Sequence, residues 1–366
     1  MGKYRVIQWG VGYTGESSLR YVVGNHKLEL VGIKCFTEAK EGRTAFELCG
    51  HGPTDGVRAT RNVDQLLALD ADCVLFMPRD LLMDPSVPDS LAETWMVDLI
   101  AILESGANVV TPICTGTHWR QLANPQAFLD RINVACGKGN STVTFTGFDP
   151  GFSTDYLPYT LAGVVGEVAK IRTWEVLDYS DYPALETLTQ LGFGVDPSTT
   201  PPGATDIIRN TWGGAMYLLG DSMGVHLDRI EVDAEIFIAT EPYTSPKGFF
   251  VDTGTVGGYW FKLSGHVGDK ELFVINHVTR MGAQMAPEWP TMGTDGGYRI
   301  EIDSYPPLTA ELPMALPGGT GSAFADVMVM TAGRCVNTVE AVVRADQGYK
   351  TYLELPPVGG RYTMNV

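Results

Sequence analysis

Over the first 150 residues, short apolar runs alternate with stretches long enough for a helix. Positions 4–9 (YRVIQW) read as a buried strand, and a helix follows near 16–23. A second strand is expected at 28–36 (LELVGIKCF), a helix near 62–69 and an apolar strand at 72–77 (DCVLFM). A helix near 90–105 leads into a strand at 107–113 (ANVVTPI), and a further helix and strand (143–147) follow. Strands that alternate with helices in this way build a doubly wound parallel sheet.

Past Phe152 the period changes. Long alternating runs occupy 168–178, 229–240, 255–267, 271–280 and 297–304, joined by turns such as Gly-Asp-Lys and Gly-Gly. Period-2 strands of that length predict an open antiparallel sheet in a second, α+β domain. A Pro/Gly/Thr-rich loop (192–204) precedes an amphipathic helix in which Ile207, Ile208, Trp212, Met216 and Leu219 share one face. The chain from Ser322 to Val343 is again helical and ends in an extended segment. The expected division is 1–150, 151–321, and a tail 322–366 that returns to the first domain.

Between the first strand and its helix stands Gly10-Val11-Gly12-Tyr13-Thr14-Gly15. The first glycine permits the tight turn, the second lets the backbone approach a pyrophosphate, and the third allows helix and strand to pack closely. A GxGxxG in that setting predicts a Rossmann domain holding NAD(P) at a helix amino terminus. The tip of the second strand lacks the acid that would bind a ribose 2′-hydroxyl; it offers Lys34, Cys35, Phe36 and Thr37, with Lys40 and Arg43 beyond. Basic and hydroxyl groups there favour a 2′-phosphate, hence NADP over NAD, and Phe36 is placed to stack on adenine. Met77, Pro78, Thr111 and Pro112, at the ends of two further strands, complete the expected cofactor edge.

Charge and composition narrow the remaining classes. Apolar residues make up 44% of 366, enough for a real core, and the formal charge of −17 disfavours nucleic acid or anionic membrane as a partner. The six cysteines have no C-x-x-C spacing and the six histidines no metal-binding spacing, so neither a disulfide framework nor a metal is expected. Without a long apolar span or a leader pattern, a cytoplasmic location is the expectation.

The Glu-Lys-Pro of sugar dehydrogenases is replaced here by Val110-Thr111-Pro112, and the His-His of dihydrodipicolinate reductases is missing from 174–182. The segments LESGANVVTPI (103–113), GFDPGFSTDYLP (147–158) and VNTVEAVVRADQGYKTYLELP (336–356) instead resemble the native amine dehydrogenases, which are similar to 2,4-diaminopentanoate dehydrogenase. That resemblance implies reversible reductive amination: a small ketone or aldehyde and ammonia are converted to an amine by NAD(P)H. It also implies a catalytic glutamate, which by motif is Glu104. Position alone argues otherwise, because Glu104 ends an apolar helix where its charge opposes the helix dipole and where a helix leaves the cofactor edge.

Asp149-Pro150-Gly151-Phe152 ends the parallel sheet and is expected against the nicotinamide. Phe148, Phe152, Trp174, Tyr179, Tyr182, Trp212 and Met216 are the candidate walls of an apolar substrate pocket, while His266 and His277 read as structural. A homodimer joined through the antiparallel sheet is expected. Two other readings stay open at this point: another imine or diamino-acid dehydrogenase of the dihydrodipicolinate reductase group, and a non-catalytic NADP-binding sensor.

Overall fold

A computed structural model describes residues 2–78, 89–113, 125–182, 185–199, 204–293, 296–360 and 363, with backbone alone at 89–94, 187, 190 and 204–207. Two compact units emerge, one from residues 1–151 with 328–366 and the other from 152–327. In the first unit the order is β1 (Tyr4–Trp9), α1 (Tyr13–Gly24), β2 (Leu28–Lys34), α2 (Ala45–Cys49), β3 (Ala59–Thr60) and α3 (Val63–Leu67). It continues with β4 (Cys73–Phe76), α4 (Asp89–Glu104), β5 (Asn108–Thr111), α5 (Pro125–Gly139) and β6 (Thr142–Phe145).

The second unit comprises α6 (Tyr156–Ala162), β7 (Gly166–Asp178), α7 (Leu185–Gln190), α8 (Ala204–Ser222), β8 (Arg229–Ile238), β9 (Tyr243–Thr244) and β10 (Phe250–Val251). The long strands β11 (Val256–Val267), β12 (Lys270–Arg280), β13 (Gly296–Tyr305) and β14 (Leu308–Pro313) complete it. The helix α9 (Ala323–Val343) and the short strand β15 (Gly348–Tyr349) end the chain.

The sheet of the first unit is parallel throughout, in the order β15-β6-β5-β4-β1-β2-β3. Apolar strands such as β4, buried at every position, suit a sheet covered on both faces. Helix α1 presents Gly15, Ser18, Leu19 and Val22 to it, the spacing of one helical stripe. On one side Trp95, Leu99, Ile102 and Leu103 of α4 pack with Phe128 and Ile132 of α5. On the other, Val6, Leu75, Met77 and Val110 meet Cys335, Val336, Val339 and Val342 of α9.

The sheet of the second unit runs β14-β13-β7-β12-β11-β8 and is antiparallel except between β7 and β12, which pair parallel. That pairing follows from the long excursion through α7, α8 and the β8–β11 strands, which lets the chain return in the same direction beside β7. One face packs Phe261, Leu263, Phe273, Ile275, Ile300 and Ile302 against Trp212, Met216 and Leu219 of α8. Lys170 and Lys262 clamp Glu271, each at 2.8 Å, and Ser264 donates to the same carboxylate, tying β7, β11 and β12 together.

Burial pushes the Glu271 carboxyl up, but the hydrogen bonds from Lys170, Lys262 and Ser264 outweigh it and hold its pKa at about 2. A depressed carboxylate stabilises the fold above its unfolded pKa and loses that contribution as pH falls. Glu271→Gln should therefore lower stability at pH 7 by about 2 kcal/mol, with allowance for partial exposure. The gap between variant and parent should close between pH 4.5 and about 2, as measured by urea unfolding at several pH values.

Among the described residues no helix is long and apolar enough to cross a membrane. Cys35, Cys49, Cys73, Cys136 and Cys335 are free thiols, and Cys114 lies outside the described residues.

Candidate functional site

The glycine turn sits where β1 ends, at the carboxyl edge of the parallel sheet. Gly10 has φ +93°, and a Cβ there would stand 2.3 Å from the carbonyl oxygen of Met77. A Cβ on Gly15 would stand 2.2 Å from the Gly10 oxygen, so strand and helix touch backbone to backbone. Gly12, the N-cap of α1, has nothing within 4 Å of its Cβ position and no side chain caps the helix. Open space over the middle glycine and free first-turn amides fit a pyrophosphate. Beneath them Gln8 Nε2 donates to the Gly10 carbonyl (2.8 Å) and Ser18 Oγ donates to Gln8 Oε1 (2.7 Å), both buried.

The other expected cofactor residues divide. Lys40 pairs with Glu16 at 2.9 Å and donates to the Val11 carbonyl, so its ammonium overhangs the turn. Tyr13 and Phe36 are exposed, and Thr37 stands at the N-cap position of the short turn Glu38–Lys40 without a side-chain capping bond. Thr14 Oγ1 touches Met328 Sδ at 3.4 Å. Met77 is buried with its amide on Trp9, Pro78 follows it, and Thr111 Oγ1 accepts from the Ile113 amide across Pro112.

Lys34 is buried at the tip of β2. Its Nζ donates to the carbonyls of Cys35 and Arg61 and lies over the rings of Phe36 (4.9 Å) and Trp9 (6.0 Å). Two carbonyls and two aromatic faces surround the ammonium. Nearby, burial raises the Asp98 carboxyl pKa, held back by the Trp9 indole and the Lys34 charge. Arg61, at the end of β3 and paired with Glu41 at 2.7 Å, is the basic group at this edge that the sequence pattern did not single out.

Glu104 lies apart from the glycine turn. It closes α4 just before β5 begins, at the amino edge of the parallel sheet, whereas the glycine turn lies at the carboxyl edge. Its carboxylate is partly exposed and pairs with Lys138 at 2.7 Å. In a βαβ unit the helix runs antiparallel to its strands, so its last turn is carried away from the cofactor. Glu104→Gln should leave turnover within about twofold, since an exposed ion pair contributes little. A loss of tenfold or more in steady-state rate would restore Glu104 to the chemistry.

In the second unit the alternation of β7 decides which side chains face the helix-covered side. Ile171, Thr173, Glu175 and Leu177 are on that face. Trp174 lies on the other, against Trp260 (5.9 Å between ring centroids), within the cluster of Val176, Trp289 and Met292. Trp174 thus packs on the face opposite Glu175. Met216 is fully buried, with its sulfur over Gly265.

What the covered face gathers instead is a polar row. Strand register sets Tyr298, Glu175, His277 and Phe261 side by side across β13, β7, β12 and β11. Tyr298 donates to Glu175 Oε2 at 2.9 Å, Tyr179 reaches Oε1 at 3.4 Å, and His277 Nε2 stands 2.9 Å from Oε1 without the alignment of a linear hydrogen bond. Trp212 sets its ring edge-on to His277 at 4.4 Å. Tyr182 packs on Phe324 (4.1 Å) and Tyr179, and Tyr179 also meets Phe193. Of the expected pocket walls, Tyr179, Tyr182 and Trp212 converge around this row. Phe152 stacks on Tyr156, while Phe148, in the first unit, donates its amide to Thr331. The Ile207 side chain is outside the described residues.

Residues 152–361 match the family described as the 2,4-diaminopentanoate dehydrogenase C-terminal domain. The chain is 29% identical over 365 residues to an amine dehydrogenase of Streptomyces virginiae, covering 97% of each. It is 24% identical to the 2,4-diaminopentanoate dehydrogenase of Acetoanaerobium sticklandii, covering 97% of this chain and 94% of that one. The structure of an amine dehydrogenase from Mycobacterium smegmatis superposes with a TM-score of 0.74 at 18% identity, covering 99% of this chain and 98% of the other, so the two share a fold.

Proposed function

The chain belongs to the 2,4-diaminopentanoate dehydrogenase C-terminal domain family, and on that premise we propose that it is an NAD(P)-dependent amine dehydrogenase. It reduces a small ketone or aldehyde with ammonia to an amine and, in reverse, deaminates the amine. The observation that carries this reading is the glycine turn, open over Gly12 and closed at Gly10 and Gly15, which suits a dinucleotide. When bound, the nicotinamide would supply or accept the hydride.

The residues of the chain have the remaining work. Gly10–Gly15 and the amino terminus of α1 hold the pyrophosphate. Lys40, fixed over the turn by Glu16 and the Val11 carbonyl, offers positive charge to a ribose phosphate and favours NADP. In the second unit, aromatic rings exclude water, and the Glu175–His277 pair is the proton-handling group we substitute for Glu104. Ammonium must lose a proton to attack a carbonyl, and the carbinolamine must lose water to become an iminium; a desolvated carboxylate beside an imidazole suits both demands. We further propose a homodimer joined through the sheet face that carries Trp174 and Trp260.

The test is NADPH and NADH oxidation with small ketones and aldehydes, with and without ammonium. Consumption that requires ammonium supports the proposal; consumption without it identifies a carbonyl reductase instead. Thr37→Asp should shift preference toward NAD by about tenfold, by repelling a 2′-phosphate and accepting from a free ribose hydroxyl. An unchanged ratio of kcat/KM for the two cofactors would move the 2′-phosphate site elsewhere.

A further inference from the structure

Around Glu175 lie buried polar atoms that the protein does not satisfy. His277 Nδ1, Thr173 Oγ1 and Trp212 Nε1 are all inaccessible to solvent and have no hydrogen-bond partner. Thr173 sits on the same strand face two residues before Glu175, and Trp212 rests against His277. In native proteins nearly all buried polar groups are paired, so a cluster of unpaired ones beside a buried carboxylate marks a place where something binds.

We propose that Glu175, His277 and Thr173 form a site for an ammonium-type cation, either the alkylammonium group of the amine substrate or ammonium itself. The proposal rests on the amine dehydrogenase reading and names the part of the substrate that this face recognises. The chemistry of the open valences selects the guest. An ionised carboxylate accepts only, and the charge of Glu175 favours a proton on the facing Nε2 of His277. With the proton on Nε2, Nδ1 presents a lone pair. The Thr173 hydroxyl can accept as well, and only the Trp212 indole N–H must donate elsewhere; an ammonium group is donor-only and positive.

Charge points the same way. A neutral guest leaves the buried carboxylate uncompensated by the ligand, and a guest carboxylate is repelled by it. The rings of Trp212 and Phe261 beside His277 are also compatible with a cation. The substrate class is therefore amines without a carboxylate beside the charged nitrogen.

The experiment is calorimetric titration of the full chain, without cofactor, by cyclohexylammonium and by cyclohexanol, a neutral guest of matching shape, at fixed ionic strength. The native protein should prefer the cation at least about tenfold, or 1.4 kcal/mol. Glu175→Gln should abolish that preference while keeping the alcohol affinity, and Tyr298→Phe, which leaves the carboxylate in place, should retain it. If Glu175→Gln fails to fold, Thr173→Val serves, with an expected fall of about threefold in cation affinity alone.

Equal weakening of both guests would make the role structural, and an absent preference in the native protein would mean that ordered water alone meets these atoms. Either result overturns the site. Competition by ammonium chloride assigns it to ammonia; failure to compete assigns it to the alkylammonium. Amine-dependent turnover without cation preference would sink the site and spare the proposed activity. Cation preference without such turnover would sink the activity and leave the site standing.

Discussion

Valine at Gly12 should leave the protein folded and lower its dinucleotide affinity by about a hundredfold or more, while valine at Gly10 or Gly15 should damage the fold itself. The three glycines have the same motif role but different surroundings. Gly12 has φ −80°, a conformation open to any residue, and no atom lies within 4 Å of its Cβ position. The only thing a side chain there displaces is the pyrophosphate. At Gly10 the Cβ meets the Met77 carbonyl at 2.3 Å in a backbone conformation with positive φ, and at Gly15 it meets the Gly10 carbonyl at 2.2 Å. Backbone cannot rotate aside as a side chain can, so each costs about 3 kcal/mol or more. Thermal melts and NADPH fluorescence titrations separate the two classes. A folded Gly12→Val protein with undiminished affinity would remove the turn from cofactor binding.

Trp212→Ala should be the most damaging change in the second unit, lowering its stability by about 3–5 kcal/mol. The indole is buried in the cluster that joins α8 to the sheet, against His277. Removing it leaves a cavity that a rigid sheet cannot close. Trp212→Phe should cost less than half as much, because most of the packing volume survives and the unpaired Nε1 goes with the indole. Urea unfolding followed by circular dichroism gives both numbers. Equal losses for Ala and Phe would mean that the indole nitrogen, not the ring volume, sets the effect.

The parallel sheet was legible because β4 is short and wholly apolar, β5 is short and centred on Val109 and Val110, and helices space the strands. The glycine turn was legible because its three positions make separate steric demands. The polar row was not. An acid in an alternating strand reads as a solvent-facing residue, and β7 offered Trp174 one position earlier as the more obvious pocket candidate. A strand turns successive side chains to opposite faces, so an error of one position exchanges the two sides of a sheet. Only the placement of α8 shows which face is covered, and that helix (Ala204–Ser222) comes well after β7 in the chain.

His277 was passed over for the same reason: its partner Glu175 is about a hundred residues away in sequence. The contacts of Lys34 were hidden for another reason. The tip of β2 was located, but the direction in which a long side chain folds depends on carbonyls of Cys35 and Arg61, which no periodicity records. The parallel pairing of β7 with β12, and the two residues of β15, are likewise matters of long-range closure.

The first unit is built from both ends of the chain, and this orders events during synthesis. At a ribosomal rate of about 5–20 residues per second, the stretch 152–327 takes roughly 10–35 s to emerge after the first 151 residues are out. Throughout that interval α9 does not exist, so Val6, Leu75, Met77 and Val110 have no helix over them and β6 remains an open edge. The nascent protein therefore carries an uncovered apolar sheet face for longer than most elementary folding steps last, until residues 328–366 arrive.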